Sequence, residues 1–235
     1  MNGQSELRER YRAVLNTIKQ ASGSRSDVQL LAVSKTFAAA DVVALADLGQ
    51  RGFGENYLQE ALDKIAAIAA ERPDLRLEWH FIGPIQSNKT RSIAEHFDWV
   101  HSVDRLKIAQ RLSEQRPAAR LPLNICLQVN VSGELSKSGC APDEAPALAQ
   151  AIAVLPGLAV RGLMAIPEPS DDLALQRERF AGLRRLRDQI NGMGLRMDTL
   201  SMGMSADLEI AIAQGATIVR IGSAIFGDRA VKLSG

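Results

Sequence analysis

The sequence predicts an α/β fold of the closed (β/α)8 class, the TIM barrel, with an extra helix before the first strand. Eight short runs rich in β-forming residues recur along the 235 residues, and an amphipathic helical pattern follows most of them. Strands that alternate with helices pair in parallel, and eight such units close into a barrel. A doubly wound open sheet is the alternative, but about six strands suffice for it, and no GxGxxG follows the first run.

The predicted elements follow one another without a linker rich in Pro, Gly or Ser, so residues 1–235 are expected to form a single domain. Gly49 and Gly215 fall just after two helical patterns, where helix C-caps are expected. The extra helix is predicted over residues 8–20. The strands are predicted over residues 28–34, 52–54, 78–82, 99–102, 123–131, 159–165, 199–202 and 217–221, and the helices between them over residues 40–48, 56–70, 105–115, 143–154, 173–191 and 206–214.

The composition argues against several classes of function. The 28 basic and 27 acidic residues give a net charge of +1, and only 4% of residues are aromatic, so neither nucleic acid nor an anionic membrane is an expected partner. Residues 1–20 lack the apolar core of a secretory signal, and no apolar run reaches the roughly 18 residues of a membrane span. Cys126 and Cys140 are expected to be free thiols in a cytoplasmic protein. His96 and His101 lack partners at ligand spacing, so no metal site is expected.

A lysine stands at the end of the first predicted strand, in the stretch LLAVSKTF at residues 30–37. Active groups of this barrel come from the carboxyl ends of strands, so Lys35 is expected at the functional mouth. It is either a rim residue whose ammonium reaches water or a Schiff-base lysine bound to a carbonyl substrate or to pyridoxal phosphate. Lys89 and Lys137, in loops after the third and fifth strands, compete for this role, whereas Lys64 is placed on a helix face.

The turns after the last two strands carry small and hydroxyl residues. Ser201 and Ser205 surround the turn after the seventh strand, and Gly222 and Ser223 follow the eighth. Backbone N–H groups at such turns, together with a helix dipole, form an anion site, and these loops commonly bind phosphate in this barrel. Ordinary turn chemistry would also account for residues of this kind.

Arg220 interrupts the apolar eighth strand, and a buried arginine needs a partner. One interpretation is a structural salt bridge across the barrel. The other is a hydrogen bond to a ligand acceptor such as a pyridine nitrogen. Because arginine keeps its proton, that nitrogen would stay unprotonated, and the ring would be a weak electron sink.

Seven stretches together resemble a known family. They are AVSKTF at 32–37, FGENYLQE at 53–60, WHFIGPIQSNK at 79–89, LQVNVSGELSKSG at 127–139, RGLMAIP at 161–167, LSMGMSADLEIAI at 200–212 and VRIGSAIFG at 219–227. In this order they make the chain similar to the pyridoxal phosphate homeostasis proteins, whose fold is that of the barrel domain of fold-type III enzymes such as alanine racemase.

The resemblance implies pyridoxal 5′-phosphate as the cofactor and a set of residues that hold it. Lys35 would form the internal aldimine, and Arg220 would lie beside the ring nitrogen. Asn56, in the turn after the second strand, would lie near the cofactor. The loops around Ser201, Ser205, Gly222 and Ser223 would hold the phosphate.

Two functions from different classes remain after the resemblance. The first is a carrier that holds and delivers the cofactor, with cofactor-requiring apo-enzymes as recipients and a monomeric state. The second is an amino-acid racemase, which needs acid and base groups on both faces of the substrate carbon. Only Tyr11 and Tyr57 are available as tyrosines, and the residues after Phe226 leave no room for a second domain, so the carrier is the expectation.

His80, between Trp79 and Phe81, is expected to be a hydrogen-bonded core residue.

Overall fold

The computed structural model describes residues 3–133 and 138–227. Its eight strands pair in parallel in sequence order, and β8 pairs with β1 to close the barrel. The predicted (β/α)8 class is therefore confirmed. The strands are β1 (Gln29–Val33), β2 (Gly52–Glu55), β3 (Glu78–Phe81), β4 (Trp99–Val103), β5 (Leu123–Gln128), β6 (Leu158–Met164), β7 (Thr199–Ser201) and β8 (Ile218–Ile221).

The helices cover the outside of the barrel. They are α1 (Gly3–Ser22), α2 (Ala39–Asp47), α3 (Leu58–Glu71), α4 (Thr90–His96), α5 (Leu106–Gln115), α6 (Ala145–Ala153), α7 (Leu173–Gly192), α8 (Leu208–Ala213) and α9 (Ser223–Phe226). The predicted extra helix, α1, buries Leu7, Tyr11, Val14 and Ile18 along one face and packs against α2, α8 and α9. It therefore fills the place in the helical ring that the short α9 leaves open.

The sequence prediction differs from the structure mainly at element ends. The fifth strand, predicted to residue 131, ends at Gln128, and Val129 makes only an isolated bridge to Cys140. Neither α4 nor the 3-10 turn at Ser87–Lys89 was predicted, because elements this short show no clear helical period.

Gly49 and Gly215 end their helices as predicted. They have φ angles of 107° and 101°, in the left-handed region that glycine adopts without a steric penalty. A different constraint acts at Gly162 in β6, where an added Cβ would lie 1.8 Å from the carbonyl oxygen of Thr199. The close approach of β6 to β7 therefore depends on the missing side chain.

Two sets of buried side chains form the core. A large cluster lies mainly between the strands and the helices, and a small one consists of Trp99, Cys126 and Met164. Burial raises the pKa of Cys126 to about 12, so this thiol is inert and packs as the sequence predicts.

Within residues 3–133 and 138–227, no helix is long and apolar enough to cross a membrane, and no three His, Cys, Asp or Glu side chains cluster as metal ligands.

Candidate functional site

The carboxyl end of the barrel holds a pocket of about 220 Å³. Its walls come from the ends of β1, β2, β3, β6, β7 and β8 and from the loops that follow them, which meet at one mouth in a parallel barrel. The lining residues are Val33, Lys35, Phe37, Asn56, Ile82, Ile166, Met204, Ser205, Arg220, Gly222, Ser223 and Gly227.

Lys35 lies two residues beyond the end of β1, half-buried at the pocket, as the sequence predicts. The next residue, Thr36, has a φ of 70°, a left-handed conformation that costs roughly 1–2 kcal/mol for a residue with a Cβ. Phe37 N donates to the Ser34 carbonyl at 3.1 Å, and the Phe37 ring stacks on Phe226 with 4.7 Å between centroids. The lysine therefore stands on a constrained turn that is held on both sides.

A buried ion pair supports this turn. Lys64 Nζ lies 2.6 Å from Glu55 Oε1, and the two side chains are 4% and 0% exposed. Ser34 Oγ donates to the same carboxylate oxygen at 2.6 Å, and Lys64 Nζ donates to the Ser34 carbonyl at 2.8 Å. Glu60 pairs with Lys64 at 3.2 Å and accepts a hydrogen bond from the Thr36 amide. The residues on both sides of the pocket lysine are thus tied to one charge cluster.

Sequence reasoning missed this cluster. It placed Lys64 on a helix face, which is correct for α3, but the side chain points inward and not to solvent. Burial raises the pKa of Glu55, and its Oε2 has no partner among the residues that the structure describes. The available signal was a carboxylate at the end of the strand GFGE, nine residues before a lysine on the following helix.

Asn56 comes directly after β2 and lines the pocket. Its Oδ1 is buried and has no partner within the described part of the chain, so this acceptor is left for a ligand. Gly83, after β3, lies so close that an added Cβ would be 2.2 Å from the Asn56 carbonyl oxygen. The glycine therefore allows the two loops to meet beside the pocket.

Arg220 forms part of the pocket wall and is 5% exposed. Nη1 donates to the carbonyl and hydroxyl oxygens of Ser201 at 2.6 and 2.8 Å, and Nη2 donates to the Ala165 carbonyl at 2.9 Å. No carboxylate among the described residues forms an ion pair with it, so the salt bridge considered from the sequence is absent there. Burial lowers the pKa of Arg220 to about 10, and the guanidinium stays charged at neutral pH.

Three of the four residues predicted to surround a phosphate line the pocket. Ser205 and Ser223 are exposed there, and Gly222 lies between the end of β8 and α9. Ser201 is the exception, because it is the last residue of β7 and not part of the turn, and its side chain is fully buried. Its hydroxyl contacts Arg220, so its place is behind the pocket wall.

The competing residues lie elsewhere. Lys89 is exposed at the end of the 3-10 turn and does not line the pocket, and Lys137 falls outside the described residues. Residues 86–89, which follow β3, are largely exposed. His80 is buried and hydrogen-bonded on both ring nitrogens, which confirms the expected core histidine.

Comparison with known proteins gives consistent matches across the chain. Residues 7–230 match the alanine racemase N-terminal domain family. The pyridoxal phosphate homeostasis protein of Pseudomonas aeruginosa is 65% identical over 211 residues, which is 89% of each chain.

Solved structures extend these matches. PipY of Synechococcus elongatus PCC7942, whose structure has PLP bound, is 36% identical with a TM-score of 0.83 over 94% of this chain and 100% of PipY. Alanine racemase from Corynebacterium glutamicum gives a TM-score of 0.71 at 18% identity over 99% of this chain and 63% of the enzyme, which is a likeness of fold alone.

The Glu55–Lys64 pair leads to a prediction about stability. Lys64→Met should lower the free energy of unfolding by about 3–5 kcal/mol at neutral pH, because it leaves a carboxylate buried without its cation. Urea unfolding followed by circular dichroism measures this change. The double variant Glu55→Gln, Lys64→Met removes both charges and should recover much of the loss. A single variant as stable as the parent would contradict the structural role of the pair.

Proposed function

This chain belongs to the pyridoxal phosphate homeostasis proteins of the alanine racemase N-terminal domain family, and we propose that it holds pyridoxal 5′-phosphate on Lys35 and makes it available to apo-enzymes. The observation that supports this most directly is the pocket at the carboxyl end of the barrel. It brings together one amine, one buried guanidinium and one amide oxygen that has no partner among the residues that the structure describes. Each of these groups suits a different part of that cofactor.

Lys35 is the proposed point of attachment. Its amine would hold the cofactor through the aldehyde carbon, with a C=N bond formed and the aldehyde oxygen released as water. When bound, the cofactor supplies a pyridine ring that withdraws electrons from the attached imine. The apolar side chains of Phe37, Ile82, Ile166 and Met204 line the same pocket and would cover the faces and edges of a flat ring.

Arg220 is proposed to face the ring nitrogen. A guanidinium has only donors, so the nitrogen must accept the hydrogen bond and remains without a proton. An unprotonated ring withdraws electrons weakly. This suits a protein that keeps a reactive aldehyde without using it on every amino acid that enters.

The phosphate is proposed to lie against Ser205, Gly222 and Ser223. The two hydroxyls are exposed at the pocket, and glycine lets a phosphate approach the backbone closely. Asn56 lines the same pocket, where its Oδ1 would accept a hydrogen bond from the ring hydroxyl or from an ordered water.

The carrier is preferred to the racemase because neither tyrosine lines the pocket. The Tyr11 hydroxyl donates to Gln50 Oε1 at 3.2 Å, and both side chains are buried away from the pocket. Tyr57 is 54% exposed at the start of α3 and lies outside the lining set. A base for the opposite face of a substrate carbon must come within hydrogen-bond reach of it.

The compartment and assembly state are part of the proposal. Two cysteines, both buried and unpaired, fit a reducing cytoplasm. We propose a monomer there, with cofactor-requiring apo-enzymes as the recipients.

Lys35 should be the residue that carries the cofactor. Borohydride reduction of the loaded protein converts the C=N bond to a stable amine, so peptide mapping should find the label on the peptide that contains Lys35. Lys35→Ala should lose the label and the visible absorption band while keeping the circular dichroism of the parent, since it removes a half-buried side chain at the rim. A label on Lys89 or Lys137 would overturn the assignment.

The phosphate should contribute much of the affinity. Pyridoxal without phosphate should bind at least ten-fold more weakly, because a charge-assisted hydrogen bond is typically worth about 1.5–3 kcal/mol. Equilibrium dialysis of both compounds measures the difference. Ser223→Ala should weaken only the phosphorylated form, and similar affinities for the two forms would contradict the proposed loops.

Racemase turnover should be negligible. Loaded protein incubated with L- or D-alanine in deuterated water should give neither the opposite enantiomer nor rapid deuteration of the α-carbon, as followed by proton NMR. Rapid exchange that Tyr57→Phe abolishes would favour the racemase over the carrier.

A further inference from the structure

A chain of hydrogen bonds crosses the barrel interior from the pocket wall. Arg220 Nη1 donates to Ser201 Oγ at 2.8 Å, and Ser201 Oγ lies 2.8 Å from His101 Nδ1. His101 Nε2 lies 2.9 Å from His80 Nδ1, and His80 Nε2 lies 2.8 Å from Glu78 Oε1. We call these five residues the Arg220–Glu78 chain.

The Arg220–Glu78 chain joins the two ends of the barrel. Its first four members, from Arg220 to His80, are all buried, whereas the Glu78 side chain is 48% exposed. Glu78 is the first residue of β3, and the first residues of parallel strands lie at the end opposite the pocket. There it borders a second cavity, of about 390 Å³, together with Gln50 and Gly52.

The chemistry of the two ends is consistent with one direction for every bond. A guanidinium only donates, so Ser201 Oγ accepts from Arg220 and its own hydrogen is available to His101 Nδ1. At the other end, the hydrogen bond from His80 lowers the pKa of Glu78, so the ionised carboxylate only accepts. Burial holds the pKa of His101 well below its usual range, so this ring is neutral.

With His80 neutral as well, one arrangement pairs every hydrogen. His101 accepts at Nδ1 and donates from Nε2, and His80 does the same. All the bonds point from Arg220 towards Glu78, from the cation to the anion. Bonds aligned in this way polarise one another, by about 10–30% for each bond in condensed phases.

We infer that Ser201, His101, His80 and Glu78 are positioning residues that hold the Arg220 guanidinium at the pocket wall, and that the Glu78 charge sets how strongly Arg220 donates into the pocket. No described carboxylate forms an ion pair with Arg220. The Asp207 charge acts on it from a distance, and among the described residues the Arg220–Glu78 chain is its hydrogen-bonded connection to a carboxylate. The carbonyl oxygens of Ser201 and Ala165 also hold Arg220. Breaking the chain should therefore reorient the guanidinium without releasing it.

The first part of the test uses the protein without any ligand, so it is independent of the proposed function. The protein has three histidines. The third, His96, is exposed on α4 and outside the Arg220–Glu78 chain, so it serves as an internal reference. Nitrogen-15 NMR of labelled histidines should show the Nε2–H tautomer for both His80 and His101. A hydrogen on Nδ1 of either ring would overturn the inferred direction.

The second part compares two substitutions of exposed carboxylates. Glu78→Gln removes the charge and keeps an acceptor, and Glu71→Gln, at the end of α3, is the matched control. Glu78→Gln should shift the guanidinium proton and nitrogen signals of Arg220, which are identified by their loss in Arg220→Lys, while Glu71→Gln should leave them unchanged. Unchanged Arg220 signals in both variants would overturn the inference whether or not a cofactor binds.

The last part rests on the proposed function. Glu78→Gln should weaken pyridoxal phosphate binding by about five-fold, the lower end of typical coupling between sites, and shift the visible absorption maximum. Ser201→Ala, which breaks the chain next to Arg220, should have the larger effect, provided that it folds. Loss of cofactor binding in the parent would refute the proposed function alone, whereas normal binding in every variant would refute the coupling.

Discussion

The pairing of β1 with β8 is the constraint on which the site depends. Leu31 is in register with Arg220, and Ala32 with Ile221, so closing the barrel brings the first strand beside the last. Lys35 and Arg220 are far apart in sequence, yet they line one pocket because each lies at or just beyond the carboxyl end of these neighbouring strands. An open sheet with the same strands would leave them on opposite edges.

The alternation of strands and helices and the ends of the strands could be read from the sequence. They predicted the closed barrel and the position of Lys35 at its carboxyl end. These features are local, because a strand and the residue after it are adjacent in the chain. The buried Lys64 and the position of Ser201 could not be read in this way. In both cases the question is whether the side chain points into the protein. The answer depends on a charged partner on another element of the fold, the Glu55 carboxylate for Lys64 and the Arg220 guanidinium for Ser201. The positive φ of Thr36 is equally invisible, since threonine rarely adopts it and the Glu60 carboxylate holds it there.

The protein compensates its buried charges in two different ways. Lys64 pairs directly with the Glu55 carboxylate, so a short ion pair holds the turn that carries Lys35. Arg220 is held by neutral oxygens, and the hydrogen bonds that lead from it to the Glu78 carboxylate pass through three further side chains. A directly paired arginine would spend its donors on the carboxylate. Neutral acceptors leave the guanidinium positively charged towards the pocket, where a ligand nitrogen or anion would meet it.

The helix α1 comes first in the chain, but two of the three helices that it packs against, α8 and α9, come last. Arg10 Nε donates to the carbonyl oxygen of Ile225 at 3.0 Å, and α1 packs on α8 and α9. During synthesis at roughly 5–20 residues per second, α1 therefore waits many seconds for the surface that it covers. Contacts across such a long separation in sequence also slow folding. The pocket, built from the first and last strands, is complete only when nearly the whole chain has been made, so a partly synthesised chain lacks the assembled pocket.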